Sequence, residues 1–181
     1  MAMSMIELFR KARRVSVPIV TIRSPDQPAT IAALRKLPDV ESFPVMSWNA
    51  ANGIVAMNKD GEKEMDRAKV TGDATVGFVE AMLAAQLFKH GTVLFAQNAH
   101  RQLHSQEPAS TATAVQAVQN LRDTLKKNLR MLVMLGPLGF TLPSELEHDA
   151  VMLEHELPNQ EVLETVVSQL HTSGGLKVPD K

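Results

Sequence analysis

Short apolar runs alternate with amphipathic stretches along most of the chain. Val17 to Arg23 (VPIVTIR) is continuously apolar or β-branched and predicts a strand. Pro28 to Leu37 predicts a helix, with Pro28 in the first turn where no amide donor is needed. Pro44 to Asn49 (PVMSWN) predicts a second strand. From Gly53 to Thr71 the pattern weakens: Asn58-Lys59-Asp60-Gly61 has turn chemistry, and the charged run Glu62 to Lys69 reads as exposed.

Regular periodicity then returns. Asp73 is placed to cap a helix from about Ala74 to Lys89, with Val76, Val79, Ala81, Met82, Leu83, Leu87 and Phe88 at helical spacing. His90-Gly91 ends it with a basic last turn and a glycine stop. Thr92 to Ala96 predicts a buried third strand, and Thr113 to Asn128 a long helix with Val115, Val118, Leu121 and Leu125 on one side. Arg130 to Leu135 (RMLVML) predicts a fourth strand ending at Gly136-Pro137, and Leu142 to Leu146 a loop entering a short helix. Ala150 to Leu157 predicts a fifth strand, and Gln160 to His171 a last helix before the loop-like tail SGGLKVPDK. Continuous apolar strands separated by helices imply an α/β fold with a mainly parallel sheet covered on both faces. The expected organisation is a leading amphipathic helix over 1–14, one α/β domain over 15–171, and a tail or linker over 172–181.

Composition narrows the chemistry. At 181 residues and 44% hydrophobic content the chain suits one domain with a real core. Its 19 basic residues balance 20 acidic ones, so overall charge offers no pull toward nucleic acid. With no cysteine, disulfides, thiolate catalysis and cysteine-based zinc sites are excluded, which fits a reducing compartment. No run reaches the ~18 apolar residues that suggest a membrane span. The N-terminus MAMSMIELFRKARR places its apolar part before its charges, the reverse of a signal peptide, so a cytoplasmic location is expected. Arg10, Lys11, Arg13 and Arg14 form a local basic cluster on that helix, beside Met3, Ile6, Leu8 and Phe9. Such a cluster usually forms a solvated face; the alternative is an adaptor contact with nucleic acid or an anionic membrane.

The stretch PIVTIRSPDQPATIAALRK has the strand, loop and helix of a nucleotide-binding unit. Its loop is Ser24, Pro25, Asp26, Gln27, Pro28, Ala29 and Thr30, without glycine or lysine. Together with VMSWNAANGI, VLFAQNAHR and LVMLGP…LPSELEHD, it resembles the degenerate N-terminal half of the two-part AAA ATPases of chloroplast genomes, cyanobacteria, other bacteria and phages. The resemblance covers Val15 to His171. It implies a three-layer P-loop-NTPase-like fold: a five-stranded, mainly parallel sheet of order 5-1-4-3-2 with helices on both faces. It also implies a neighbouring active AAA module or like subunits as partner, in a family whose cofactors are ATP and magnesium.

Residue by residue, the nucleotide site implied by this resemblance is vestigial. A phosphate loop needs bare amide donors, a lysine for the β- and γ-phosphates, and a hydroxyl for Mg²⁺. Pro25 and Pro28 each remove a donor, Ala29 stands where the lysine belongs, and Thr30 stands at the hydroxyl position. The run VLFA resembles the Walker B strand but ends in Gln97-Asn98, amides in place of acids. At the sensor-1 position the chain reads Leu135-Gly136-Pro137. At the arginine-finger position it reads Glu145-Leu146-Glu147-His148-Asp149, of the wrong sign. No cofactor and no catalytic residue are therefore expected in this chain. The expected role is docking or oligomerisation with an active module, the rival being an ATP-binding subunit whose site a neighbour completes.

Other groups carry weaker signals. His100 and His104, spaced i, i+4 with Glu107 beyond, allow a metal pair, but ordinary polar residues after a strand explain them as well. His148 and His155 flank the fifth strand among carboxylates, where salt bridging is the expectation. Ser105, Ser110, Thr111 and Thr113 suit a capping loop, and no Gly-x-Ser-x-Gly elbow exists. Trp48 reads as a core or interface anchor, and the ten methionines as core filler.

Overall fold

The computed structural model of the protein describes residues 3–72 and 76–155, with residues 164, 167, 168, 170, 171 and 174 besides. Among the described residues the sheet has six strands: β1 (Ile19–Arg23), β2 (Val45–Asn49), β3 (Gly53–Ala56), β4 (Val93–Ala96), β5 (Met131–Gly136) and β6 (Val151–Glu154). Their order is β3-β2-β4-β5-β1-β6. Only β3 is antiparallel, paired with β2; the other neighbours run parallel. The five parallel strands therefore stand in the expected order, and β3 adds a sixth at one edge.

The weak pattern over 53–71 hides that strand and a helix. Asn49 Oδ1 accepts from Ala51 N and Asn52 N at 3.0 and 2.9 Å, and Gly53 takes φ +63°, so the chain reverses into a hairpin. Asn58, expected in a turn, instead caps a helix and ties it to the sheet. Its Oδ1 accepts from Gly61 N at 2.8 Å and Val45 N at 3.1 Å, while its amide donates to Phe43 O at 2.8 Å.

The helices up to residue 155 among the described residues are α1 (Met5–Arg14), α2 (Gln27–Leu34), α3 (Pro38–Glu41), α4 (Lys59–Ala68), α5 (Phe78–Ala85), α6 (His100–Leu103) and α7 (Pro108–Lys127). A 3-10 turn covers Ser144–Leu146. The expected cap at Asp73 lies outside the described residues. Of the predicted helix 160–171, residues 164, 167, 168, 170 and 171 are described and are helical; the rest of it, and the tail 172–181 apart from Gly174, lie outside the described residues.

Strand side chains alternate between two cores. Val20, Ile22, Phe95, Val133 and Leu153 pack against α1 and α2 through Phe9, Ile31 and Leu34. Ile19, Trp48, Leu94, Leu132 and Met134 pack against α5 and α7 through Phe78, Met82, Val118 and Leu121. The leading helix thus belongs to the same core as the sheet: Ser4 caps it in a capping box with Glu7, and it buries Met5, Phe9 and Ala12. Trp48 anchors the other face. It is almost fully buried, donates from Nε1 to Val76 O at 2.9 Å, and meets Phe78 edge-on at 5.3 Å. One acid in the run expected to be exposed is buried as well. Glu64 is 1% exposed and is held bidentately by Arg67 at 2.9 and 2.5 Å, with Lys89 N donating at 2.7 Å.

Candidate functional site

In a parallel α/β sheet, ligands bind beyond the carboxyl ends of the strands. Four segments meet there: the loop after β1, Gln97-Asn98 after β4, the turn after β5, and His155 after β6. The strand ends themselves are stitched together by Ser24 N to Gly136 O, Ala99 N to Leu135 O and His155 N to Arg23 O, all at 2.8–3.0 Å.

The loop after β1 satisfies its own donors. Asp26 is the N-cap of α2, accepting from Ala29 N at 2.9 Å through Oδ1 and from Thr30 N at 3.0 Å through its carbonyl. Thr30 is fully buried, and its hydroxyl donates to Asp26 O at 2.9 Å. The same oxygen lies 2.7 Å from Ser24 Oγ and 2.6 Å from His155 Nδ1. Thr30 Oγ1 thus has three hydrogen-bond neighbours, Asp26 O, Ser24 Oγ and His155 Nδ1. Among the described residues His155 makes none of the salt bridges expected for it. Its ring is turned onto Thr30 because β6 pairs with β1 and delivers it beside α2.

A second contact crosses the crevice. Gln27 Nε2 donates to Asn98 Oδ1 at 3.0 Å, and Asn98 N donates to Gln27 Oε1 at 2.9 Å. Asn98 reaches this geometry in the left-handed region, φ +53°. Gln97 points the other way, donating to Ser47 Oγ at 2.8 Å.

Phe140 closes the far side. The chain after β5 folds back so that its ring lies over Gly136, where even a Cβ would stand 2.5 Å from Cδ1. His100 and His104 flank this ring at 5.9 and 6.3 Å, and His104 Nε2 donates to Thr141 O at 2.8 Å. Arg23 Nε donates to Phe140 O at 2.6 Å and its guanidinium reaches Glu154 at 3.6 Å. The His-x-x-x-His pair thus grips an aromatic ring. Burial pushes the His100 imidazole below its ordinary range, with Arg101 and His104 adding to the effect. No group of three or more His, Cys, Asp or Glu among the described residues is placed to hold a metal ion. Phe140 and His155 were not among the residues singled out for this crevice; the short span from Gly136 to Phe140 was the available hint for Phe140. An open groove of about 690 Å³ lies to one side, between α7 and the 143–145 turn, with Leu103, Val115 and Glu145 in its lining.

Around the 3-10 turn the acidic stretch 145–149 is partly neutralised: Asp149 pairs with Arg122 at 2.6 Å, while Glu147 and His148 are exposed.

The basic cluster lies at the opposite end of the sheet and divides. Arg13 is turned inward. Its guanidinium donates to Leu129 O at 2.7 Å, Asp39 O at 3.3 Å and Gly91 O, and covers the Phe43 ring at 5.2 Å. Burial pulls its pKa down against the pull of Asp39. Arg10 faces Asp39 at 3.8 Å, whereas Lys11 and Arg14 are exposed.

The strand order, the parallel sheet with one antiparallel edge and the loop–helix unit after β1 define an AAA-like P-loop NTPase fold. The chain belongs to the family of SpoVK-like AAA ATPase N-terminal domains, whose model matches residues 5–155. Similar solved structures include a DNA replication initiation factor (13% identity, TM-score 0.57, covering 96% of this chain and 51% of that one). A chain of the HORMA:CdnC:Trip13 complex of E. coli MS115-1 is comparable (12%, 0.55, 94% and 58%), as is C. elegans PCH-2 (10%, 0.52, 94% and 46%). The chain spans about half the length of these proteins, and at such identities the likeness is one of fold. No curated protein matches it in sequence.

Proposed function

We propose that this module is a non-catalytic AAA-type domain that docks against an active AAA module or like subunits. One observation carries the reading: the crevice after β1 is closed by the chain's own polar groups. The α2 amides at Ala29 and Thr30 are taken by Asp26, whose carboxylate puts negative charge where a phosphate would need positive potential. Pro28 offers no donor, and the Gln27–Asn98 pair bridges the crevice. The Thr30 hydroxyl that would meet magnesium is engaged by Ser24, Asp26 and His155. Magnesium triphosphate does not fit these residues: a buried ionic contact that lacks one charged partner loses about 2–5 kcal/mol, and here the lysine and the acids are missing together. What supports docking is a well-packed domain of a family described as the N-terminal domain of an AAA ATPase.

Isothermal titration of the chain with ATP and Mg²⁺ tests the first half. No heat of binding at micromolar ligand is expected, and micromolar affinity would defeat the reading. Co-purification with a catalytic AAA module tests the second. A stable complex whose ATP turnover survives Thr30→Val in this domain is expected; turnover that requires Thr30 would mean that a neighbour completes this site.

A further inference from the structure

The end of the sheet opposite the crevice gathers two helix C-termini that are far apart in sequence. Arg13 Nη1 donates to Leu129 O at 2.7 Å, which seats the end of α1 beside the end of α7. Each helix finishes with exposed cations followed by an exposed aliphatic residue: Lys11, Arg14 and Val15 on one, Lys126, Lys127 and Leu129 on the other. Of the acids nearby, Asp39 lies 3.8 Å from Arg10 and Asp123 3.2 Å from Arg122, while Glu41 is exposed. None of Lys11, Arg14, Lys126 and Lys127 forms an ion pair among the described residues.

Cations in a last turn complement the helix dipole, which accounts for the charges alone. The aliphatic residues need another reason. Val15 is 72% and Leu129 42% exposed, so folding gains little from either. Leu129 also holds the left-handed conformation, φ +50°, where glycine or asparagine is the unstrained choice. A strained, exposed leucine beside two lysines, with a second exposed aliphatic beside an arginine at the end of the adjoining helix, matches the chemistry of a bilayer interface, where apolar side chains enter and cations meet headgroups. A nucleic acid would use the cations and leave Val15 and Leu129 unexplained. The aromatic ring at this end, Phe43, is covered by Arg13 and gives bases nothing to stack on.

We infer that this end of the domain docks on an anionic lipid surface, with Lys11, Arg14, Lys126 and Lys127 at the headgroups and Val15 and Leu129 in the interface. This surface is independent of the nucleotide crevice, and its failure would leave that reading untouched.

The full chain is sedimented with vesicles of phosphatidylcholine containing about a third phosphatidylglycerol, and with phosphatidylcholine alone. Sedimentation with the anionic vesicles only, weakened by added salt, is expected. Lys126→Gln with Lys127→Gln should lower partitioning about tenfold or more. Leu129→Gly is the decisive variant: it relieves the left-handed strain, so the melting temperature should hold or rise while vesicle binding falls. No sedimentation, equal sedimentation with neutral vesicles, wild-type binding by Leu129→Gly, or duplex DNA outcompeting vesicles at equal phosphate would each overturn the proposal.

Discussion

Thr30 Oγ1 lies 2.6 Å from His155 Nδ1, joining the first turn of α2 to the residue that follows β6. The bond is part-buried and shared with Ser24 and the Asp26 carbonyl, so the Thr30 hydroxyl satisfies three neighbours at once. Thr30→Val keeps the shape and removes the oxygen. It leaves Ser24 Oγ and His155 Nδ1 short of a partner, and a buried polar group left unsatisfied costs about 1–3 kcal/mol. Urea denaturation should show a loss in that range. A loss below about 0.5 kcal/mol, the level of a surface substitution, would mean that the cluster is not closed as described.

Much of the architecture was legible because it rests on long apolar runs. The five parallel strands and the helices α2 and α7 follow from periodicity, and their order follows from the resemblance. The errors have local causes. β3 is four residues long, too short for alternation to show, and is made by a turn at Asn49 and a positive φ at Gly53. Glu64 sits in a run of charges that reads as solvated, yet its partners Arg67 and Lys89 bring it inside. At the crevice, Gln27 and Asn98 were both singled out as nucleotide-site positions. Their mutual bond was not legible, because it depends on the left-handed backbone at Asn98, 71 residues away. His155 reached the crevice through strand pairing, which no local pattern encodes.

Arg13 offers a contrast within one basic cluster. Its guanidinium meets carbonyls from three segments, and hydrogen bonds to charged groups contribute about 1.5–3 kcal/mol each. Arg13→Leu should therefore destabilise the fold by at least about 2 kcal/mol. Arg13→Lys should recover little of that, since a point charge cannot reproduce the fork. Arg14→Glu, at an exposed position, should move stability by no more than about 0.5 kcal/mol. Thermal melts of the three variants decide it, and equal effects of the Arg13 and Arg14 changes would remove the distinction.

Acid stability should report on Glu64 and His100. Burial by itself would raise the Glu64 carboxyl, but the Arg67 and Lys89 hydrogen bonds and their charges bring it below the ordinary carboxylate range. A depressed acid contributes stability that is present above its unfolded pKa and is lost as pH falls through the folded value. His100 is also depressed, so the unfolded chain binds its proton first and stability begins to fall once pH drops below about 6.5. Unfolding free energies should thus decline in two steps toward acid. His100→Gln should flatten the first step. Glu64→Gln should lower stability at neutral pH and converge with wild type in acid. Parallel curves for Glu64→Gln and wild type down to the lowest pH would show that the Glu64 pairing contributes nothing.

The contact of Gly136 with Phe140 is open to a double-mutant test. A methyl group at Gly136 would stand 2.5 Å from Phe140 Cδ1 and 2.7 Å from Cγ, so the ring must move. That ring is gripped by His100 and His104, and its backbone carbonyl holds Arg23. Gly136→Ala should cost about 1–3 kcal/mol by overpacking, and Phe140→Ala about 3–5 kcal/mol by leaving a cavity. The double variant should cost less than the sum of the two, because the alanine methyl occupies part of the space that the ring vacates. Chemical denaturation of the four proteins measures the coupling. Strict additivity would mean that the turn after β5 relaxes away from Gly136, and that Phe140 does not close the crevice.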